Sequence, residues 1–138
     1  MKQTLVTRKF STRFDDPDSS PEKVKEFFNE TFIEVYRELS LTSLYKEFYL
    51  LPPFLRLFNI SEIFIRENEE DYRKKHPELS KIVEIFYTLK VNFYPETSEE
   101  TDFLEIRLEA YTFIQDVFQD FFTVPKTFKM RIDKYARV

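Results

Sequence analysis

The chain contains no cysteine, no glycine and one histidine. Without Cys there is no disulfide framework, no thiol nucleophile and no thiolate metal site. Without Gly there is no Gly-rich phosphate loop, no nucleophile elbow and no low-cost position for positive φ. The lone His76 is followed by Pro77 in KKHPEL, so a multi-histidine metal site is excluded, and the residue reads as a solvated position at a helix end. Alanine is scarce, and no apolar run approaches the roughly 18 residues of a membrane-spanning helix. The 25 acidic residues offer no carboxylate pair in an apolar stretch that would raise its pKa for general acid or base work. No enzyme activity and no cofactor are expected.

What is present is aromatic and charged. The 138 residues include 17 Phe and eight Tyr, enough for one domain with a core that needs neither disulfides nor metals. The net charge of −4 is unevenly spread. Lys2, Arg8, Lys9 and Arg13 fall in residues 1–14 with no acid, and Lys126, Lys129, Arg131, Lys134 and Arg137 crowd the C-terminus against Asp133 alone. The body between them is strongly acidic. That distribution argues against a nucleic-acid partner, which would need a basic face on the body itself, and suits basic ends that steer toward an acidic protein.

Apolar spacing of three and four residues predicts helices. In SSPEKVKEFFNETFIEVYREL, Ser20 suits an N-cap, Pro21 the first helical position and Glu22 the positive end of the dipole, giving a helix over 21–39. A short second helix is expected to stop at Pro52 and Pro53, and a third to run over about 54–75. PELSKIVEIFYTLKVNFY predicts a fourth, through Leu79, Ile82, Val83, Phe86, Leu89 and Phe93. A fifth follows in TSEETDFLEIRLEAYTFIQDVFQDFF, with Thr97 and Glu100 offering a cap and Phe103, Ile106, Ala110 and Phe113 a stripe. The tail VPKTFKMRIDKYARV reads as a short helix, a strand or an extended arm.

The expected fold is therefore all-α, a bundle of four to five amphipathic helices over residues 19–124, with a basic arm at 1–18 and another at 125–138. Candidate partner contacts are the cations Arg66, Arg73, Lys74 and Lys75 and the C-terminal Lys126, Lys129 and Arg131. The sequons at Asn29 and Asn59 are discounted.

Two resemblances give these elements a context. The opening MKQTLVTRKFSTRF, basic, rich in hydroxyls and free of acids, resembles a mitochondrial presequence. EKVKEFFNETFIEVYREL resembles the first helix of the LYR-motif family; the motif's Leu falls on Phe27, its Tyr on Phe28 and its Arg on Asn29. SEIFIRENEEDYRKKHPELSKIVEIFYTLK resembles the second half of that fold in its complex I accessory-subunit form, so the likeness covers residues 21–94. It implies a three-helix matrix domain that docks an acyl carrier protein, with Phe27 and Phe28 lining a slot for the acyl chain.

The functional expectation is a non-catalytic accessory subunit of a large mitochondrial assembly, a respiratory-chain complex on the matrix side of the inner membrane. Its partners would be other subunits, an acyl carrier protein among them, with peripheral membrane contact and no spanning segment. Two alternatives stand beside it: a self-assembling or host-interaction protein of a virus or mobile element, and a module that binds acyl chains.

Overall fold

A computed structural model of the chain describes residues 2–13, 21–70, 82–115, 121–122 and 126–134. In chain order the elements are strand β1 (Gln3–Arg13), helix α1 (Pro21–Ser40), a 3₁₀ turn (Ser43–Lys46), helix α2 (Leu51–Ile65) closed by a π-helical turn (Arg66–Glu70), then strands β2 (Ile82–Tyr94), β3 (Phe103–Gln115), β4 (Phe121–Phe122) and β5 (Lys126–Asp133). All strand pairings are antiparallel, in the order β1, β2, β3. The far edge of β3 is shared: β5 pairs with Phe103 to Ala110, and β4 with Phe113 and Ile114.

This overturns the all-α expectation. The predicted fourth and fifth helices are β2 and β3, and the basic extensions are sheet edges: β1 at one, β5 at the other. The third helix implied by the LYR-type likeness is likewise strand over Ile82–Tyr94.

The physical reasons are local. In LEIRLEA the apolar residues alternate strictly with charged ones, and Leu104, Ile106, Leu108 and Ala110 are all buried on one face of β3. A helix would have left Leu104 and Leu108 off its apolar stripe. β2 fits both periods, but β-branched and aromatic side chains dominate it, and these pack on a pleated surface at less cost than on a helix. Thr97 caps a turn instead of a helix, its Oγ1 accepting from the N–H groups of Glu99 (3.3 Å) and Glu100 (3.1 Å).

Helix α1 forms where its spacing predicts. Val24, Phe28, Thr31, Phe32, Val35 and Leu39 make the buried stripe. With no Gly for a left-handed cap, the helix ends on hydroxyls: Ser40 Oγ donates to the Tyr36 carbonyl (2.7 Å) and Thr42 Oγ1 to that of Leu39 (2.6 Å). No described residue has positive φ. Pro52 and Pro53 do not stop a helix; they sit in the first turn of α2, where the missing N–H groups have no intrahelical acceptor to lose.

Both helices lie on one face of the sheet. Phe28 meets Tyr87 of β2 edge-on at 5.3 Å and stacks on Phe32 at 5.7 Å, while Phe32 and Tyr36 of α1 contact Phe58 and Phe54 of α2, each at 5.7 Å. The core between the layers is completed by Ile85, Leu89 and Val91 of β2 and by Met130 and Ile132 of β5. The edge strand β1 carries an irregularity between Thr4 and Val6 together with Arg8, Lys9 and Arg13, features that discourage further strand pairing.

Candidate binding surface on the open sheet face

One face of each strand meets the helices; the other faces away from them. On the outward face the register brings like charges into line. Lys90 of β2 pairs with Arg107 of β3, and Arg107 with Lys129 of β5. Three cations therefore cross three neighbouring strands in one row. Lys9 of β1 stands opposite Thr88, one step diagonal to Lys90, and Arg131 follows Lys129 along β5. The result is a basic band running from one edge of the sheet to the other.

Like charges directly opposite one another destabilise a sheet, so the countercharges matter. Arg107 is paired with Glu109 at 3.1 Å. Arg131 is tied to Asp133 (2.7 Å) and Glu100 (3.1 Å) and lies over the Phe103 ring at 3.9 Å. Lys9, Lys90 and Lys129 make no ion pair among the described residues. The band thus has a neutralised centre and three available ammonium groups.

Aromatic pairs flank the band. Tyr94 stacks on Phe103 at 4.7 Å, and burial, followed by the nearby Glu105 carboxylate, raises the Tyr94 phenol above its ordinary value. On the other side Phe86 stacks on Tyr111 at 5.1 Å, with the rings 13° from parallel. Ser11 faces Phe86 from β1, and this small side chain leaves a half-open trough of about 330 Å³, bounded by Lys9, Ser11, Phe86, Thr88 and Tyr111.

The opposite layer is acidic. Glu22, Glu26, Glu30, Glu34 and Glu38 recur every four residues along α1, all exposed. Arg8, on the helix-facing side of β1, is bonded to the last two at 3.1 and 2.7 Å. Helix α2 presents a different surface: Leu51, Leu55 and Ile63 are about half exposed on its outer side, beside Arg56, which has no ion pair among the described residues.

The residues singled out from the sequence separate. Lys129 and Arg131 belong to the band. Lys126 lies at the far end of β5 and donates to the Glu67 carbonyl at 3.3 Å. Arg66 caps α2 at the start of the π-helical turn, 3.8 Å from Glu62. Phe28 is a closed core residue, whereas Phe27 is half-buried and stacked on Phe10 at 4.3 Å. Asn29 Oδ1 is buried without a hydrogen-bond partner among the described residues. Arg73, Lys74 and Lys75 lie outside the described residues, as does His76. A crevice of about 100 Å³ beside Tyr36, Ser40 and Phe48 is smaller than the roughly 300 Å³ at which ligand pockets begin.

Lys9, Lys90, Arg107, Phe86 and Tyr111 were not selected from the sequence, because they meet only through strand register. The available signal was their outward position in alternating segments such as Thr-Leu-Lys-Val and Glu-Ile-Arg-Leu. No protein-family model, curated protein or solved structure matches the chain. Among the described residues no group of His, Cys, Asp and Glu side chains could hold a metal ion.

Proposed function

We propose that this chain is a non-catalytic binding module that holds an extended polyanion across the open face of its sheet. The observation that carries the reading is the Lys90, Arg107, Lys129 row, continued by Lys9. Repulsion within such a row falls when an anionic chain lies along it. The acidic body read from the sequence and the basic face needed for polyanion binding are compatible, because folding places the two basic ends on one sheet and the α1 carboxylates on the other layer.

The direct test is titration with inorganic polyphosphate at low salt. Lys90→Gln combined with Lys129→Gln should weaken binding at least tenfold and lower the slope of log K against log salt by between one and two, since each lost phosphate contact removes about 0.7–0.9. Arg56→Gln, on α2, should leave both unchanged. Equal binding by the double variant and the unaltered chain would overturn the proposal. So would salt-sensitive self-association that excludes polyphosphate, which would assign the band to the α1 carboxylates of a second copy.

A second reading rests on α2. Its half-exposed Leu51, Leu55 and Ile63 beside Arg56, which has no ion pair among the described residues, suit a partner helix with an apolar stripe and an acidic rim. This is the assembly-subunit role expected from the sequence. It requires that the chain co-migrate with respiratory-chain subunits on a native gel and that Leu55→Glu with Ile63→Glu release it; co-migration unaffected by the double variant would count against α2 as the contact.

A further inference from the structure

We propose that the trough beside Phe86 seats one base of a single-stranded nucleic acid whose phosphates follow the cation band. The inference rests on the polyanion reading above and adds the ligand's chemical class.

Phe86 uses one ring face on Tyr111. Its neighbour across β1 is Ser11, too small to cover the ring, so the trough opens where a larger side chain would have closed the row. A planar heteroaromatic ring fills such a gap, and stacking on Phe86 is open to any base because every base has a π-face.

The polar groups around the trough suit the same ligand. The hydroxyls of Ser11 and Thr88 can donate to or accept from a base edge, and the Lys9 ammonium at the rim reaches a phosphate. Lys9 and Lys90 are diagonal neighbours on adjacent strands, about 7–8 Å apart at their Cα atoms. The backbone of an extended strand can therefore leave the trough at Lys9 and pass onto Lys90, Arg107 and Lys129. An acidic peptide would satisfy the ammonium groups and leave the aromatic trough empty. A four-position antiparallel sheet with aromatic rings and cations on its open face is also a general solution for single-strand recognition, because splayed bases lie flat on it.

The experiment compares two labelled probes by fluorescence anisotropy with the full chain: an oligothymidylate of about twelve nucleotides and an abasic strand with the same backbone. The intact strand should bind at least tenfold more tightly. Phe86→Leu should remove that advantage and leave abasic binding unchanged. Ser11→Phe, which fills the trough and retains Phe86, should do the same and serves as the test if Phe86→Leu unfolds, as judged by urea denaturation.

Equal affinity for the two strands, with polyphosphate still bound, would overturn the base site and leave the polyanion module standing. Failure of the oligonucleotide, the abasic strand and polyphosphate alike would overturn both. Retention of the tenfold advantage in folded Ser11→Phe would also overturn the base site.

Discussion

Phe27 and Phe28 are adjacent in sequence, and the LYR-type likeness gives them one shared role, but the fold gives them different energetics. Phe28 is 1 % exposed and contacts Phe32, Tyr87 and Phe27. Truncating such a ring removes its transfer free energy and leaves a cavity that the two layers only partly close, so Phe28→Ala should cost about 3–5 kcal/mol. Against a total stability of about 5–15 kcal/mol, that is a large fraction. In a chain of this length it should lower Tm by roughly 10–20 °C. Phe27 keeps part of its surface in water and packs mainly on Phe10, so Phe27→Ala should cost roughly 1–2 kcal/mol. The assay is urea denaturation followed by circular dichroism, with both variants fitted to a common m-value. Equal losses for the two variants would refute the layer assignment of α1, and a larger loss for Phe27→Ala would reverse it.

Other consequences are open to measurement. Leu55→Lys, on the outer side of α2, should change stability by no more than about 0.5 kcal/mol, as read from urea denaturation. Lys134 Nζ lies 2.8 Å from Asp102, and this hydrogen bond holds the Asp102 carboxyl below its ordinary value of 3.8. Because the folded value is the lower one, the stabilisation is complete above the unfolded value and is lost as pH falls through the folded one. Lys134→Gln should bring the carboxyl back toward 3.8 by NMR titration and shrink the acid-side loss of stability. Pro53→Ala should leave stability within about 1 kcal/mol of the original, whereas a proline that broke a continuous helix would yield a gain of about 3 kcal/mol on removal. Deleting residues 2–13 should unfold the chain, since β1 contributes Val6 to the core and covers one side of β2.

Helix α1 is legible because independent signals agree on it: Pro21 and Glu22 at its start, a single apolar period along it and Arg37 in its last turn. β2 and β3 are not, for a specific reason. Phe and Tyr are so abundant that apolar residues fall at helical spacing by crowding, and the stripe Phe103, Ile106, Ala110, Phe113 competes with the alternation Leu104, Ile106, Leu108, Ala110. Only the second accounts for Glu105, Arg107 and Glu109 as one polar face. In VPKTFKMRIDKYARV the alternation of Phe128, Met130 and Ile132 is compatible with a strand but too short to choose among helix, strand and extended arm, and the segment Lys126–Asp133 is a strand. The candidate surface was half legible: Lys129 and Arg131 were marked by the C-terminal charge excess. Lys9 meets Lys90 only diagonally, through the β1–β2 register, and Lys90, Arg107 and Lys129 meet through the β2–β3 and β3–β5 registers, which no local pattern encodes.

The charge layout gives the two layers opposite tasks. On α1 the Glu residues at every fourth position repel one another, each pair costing a few tenths of a kcal/mol in an isolated helix. Arg8 relieves only the last two. On the sheet the cation row carries a similar penalty. Mixing the two signs within each layer would relieve both, so neither arrangement follows from repulsion alone. What the segregation does produce is a molecule with one face attractive and the other repulsive to a polyanion, despite a net charge of −4. On the polyanion reading proposed above, an approaching anionic chain is turned away from the helices and toward the sheet, where Lys9, Lys90 and Lys129 make no ion pair among the described residues. On that reading the ligand's orientation is set before contact, and the aromatic trough offsets the low net affinity expected of an acidic protein.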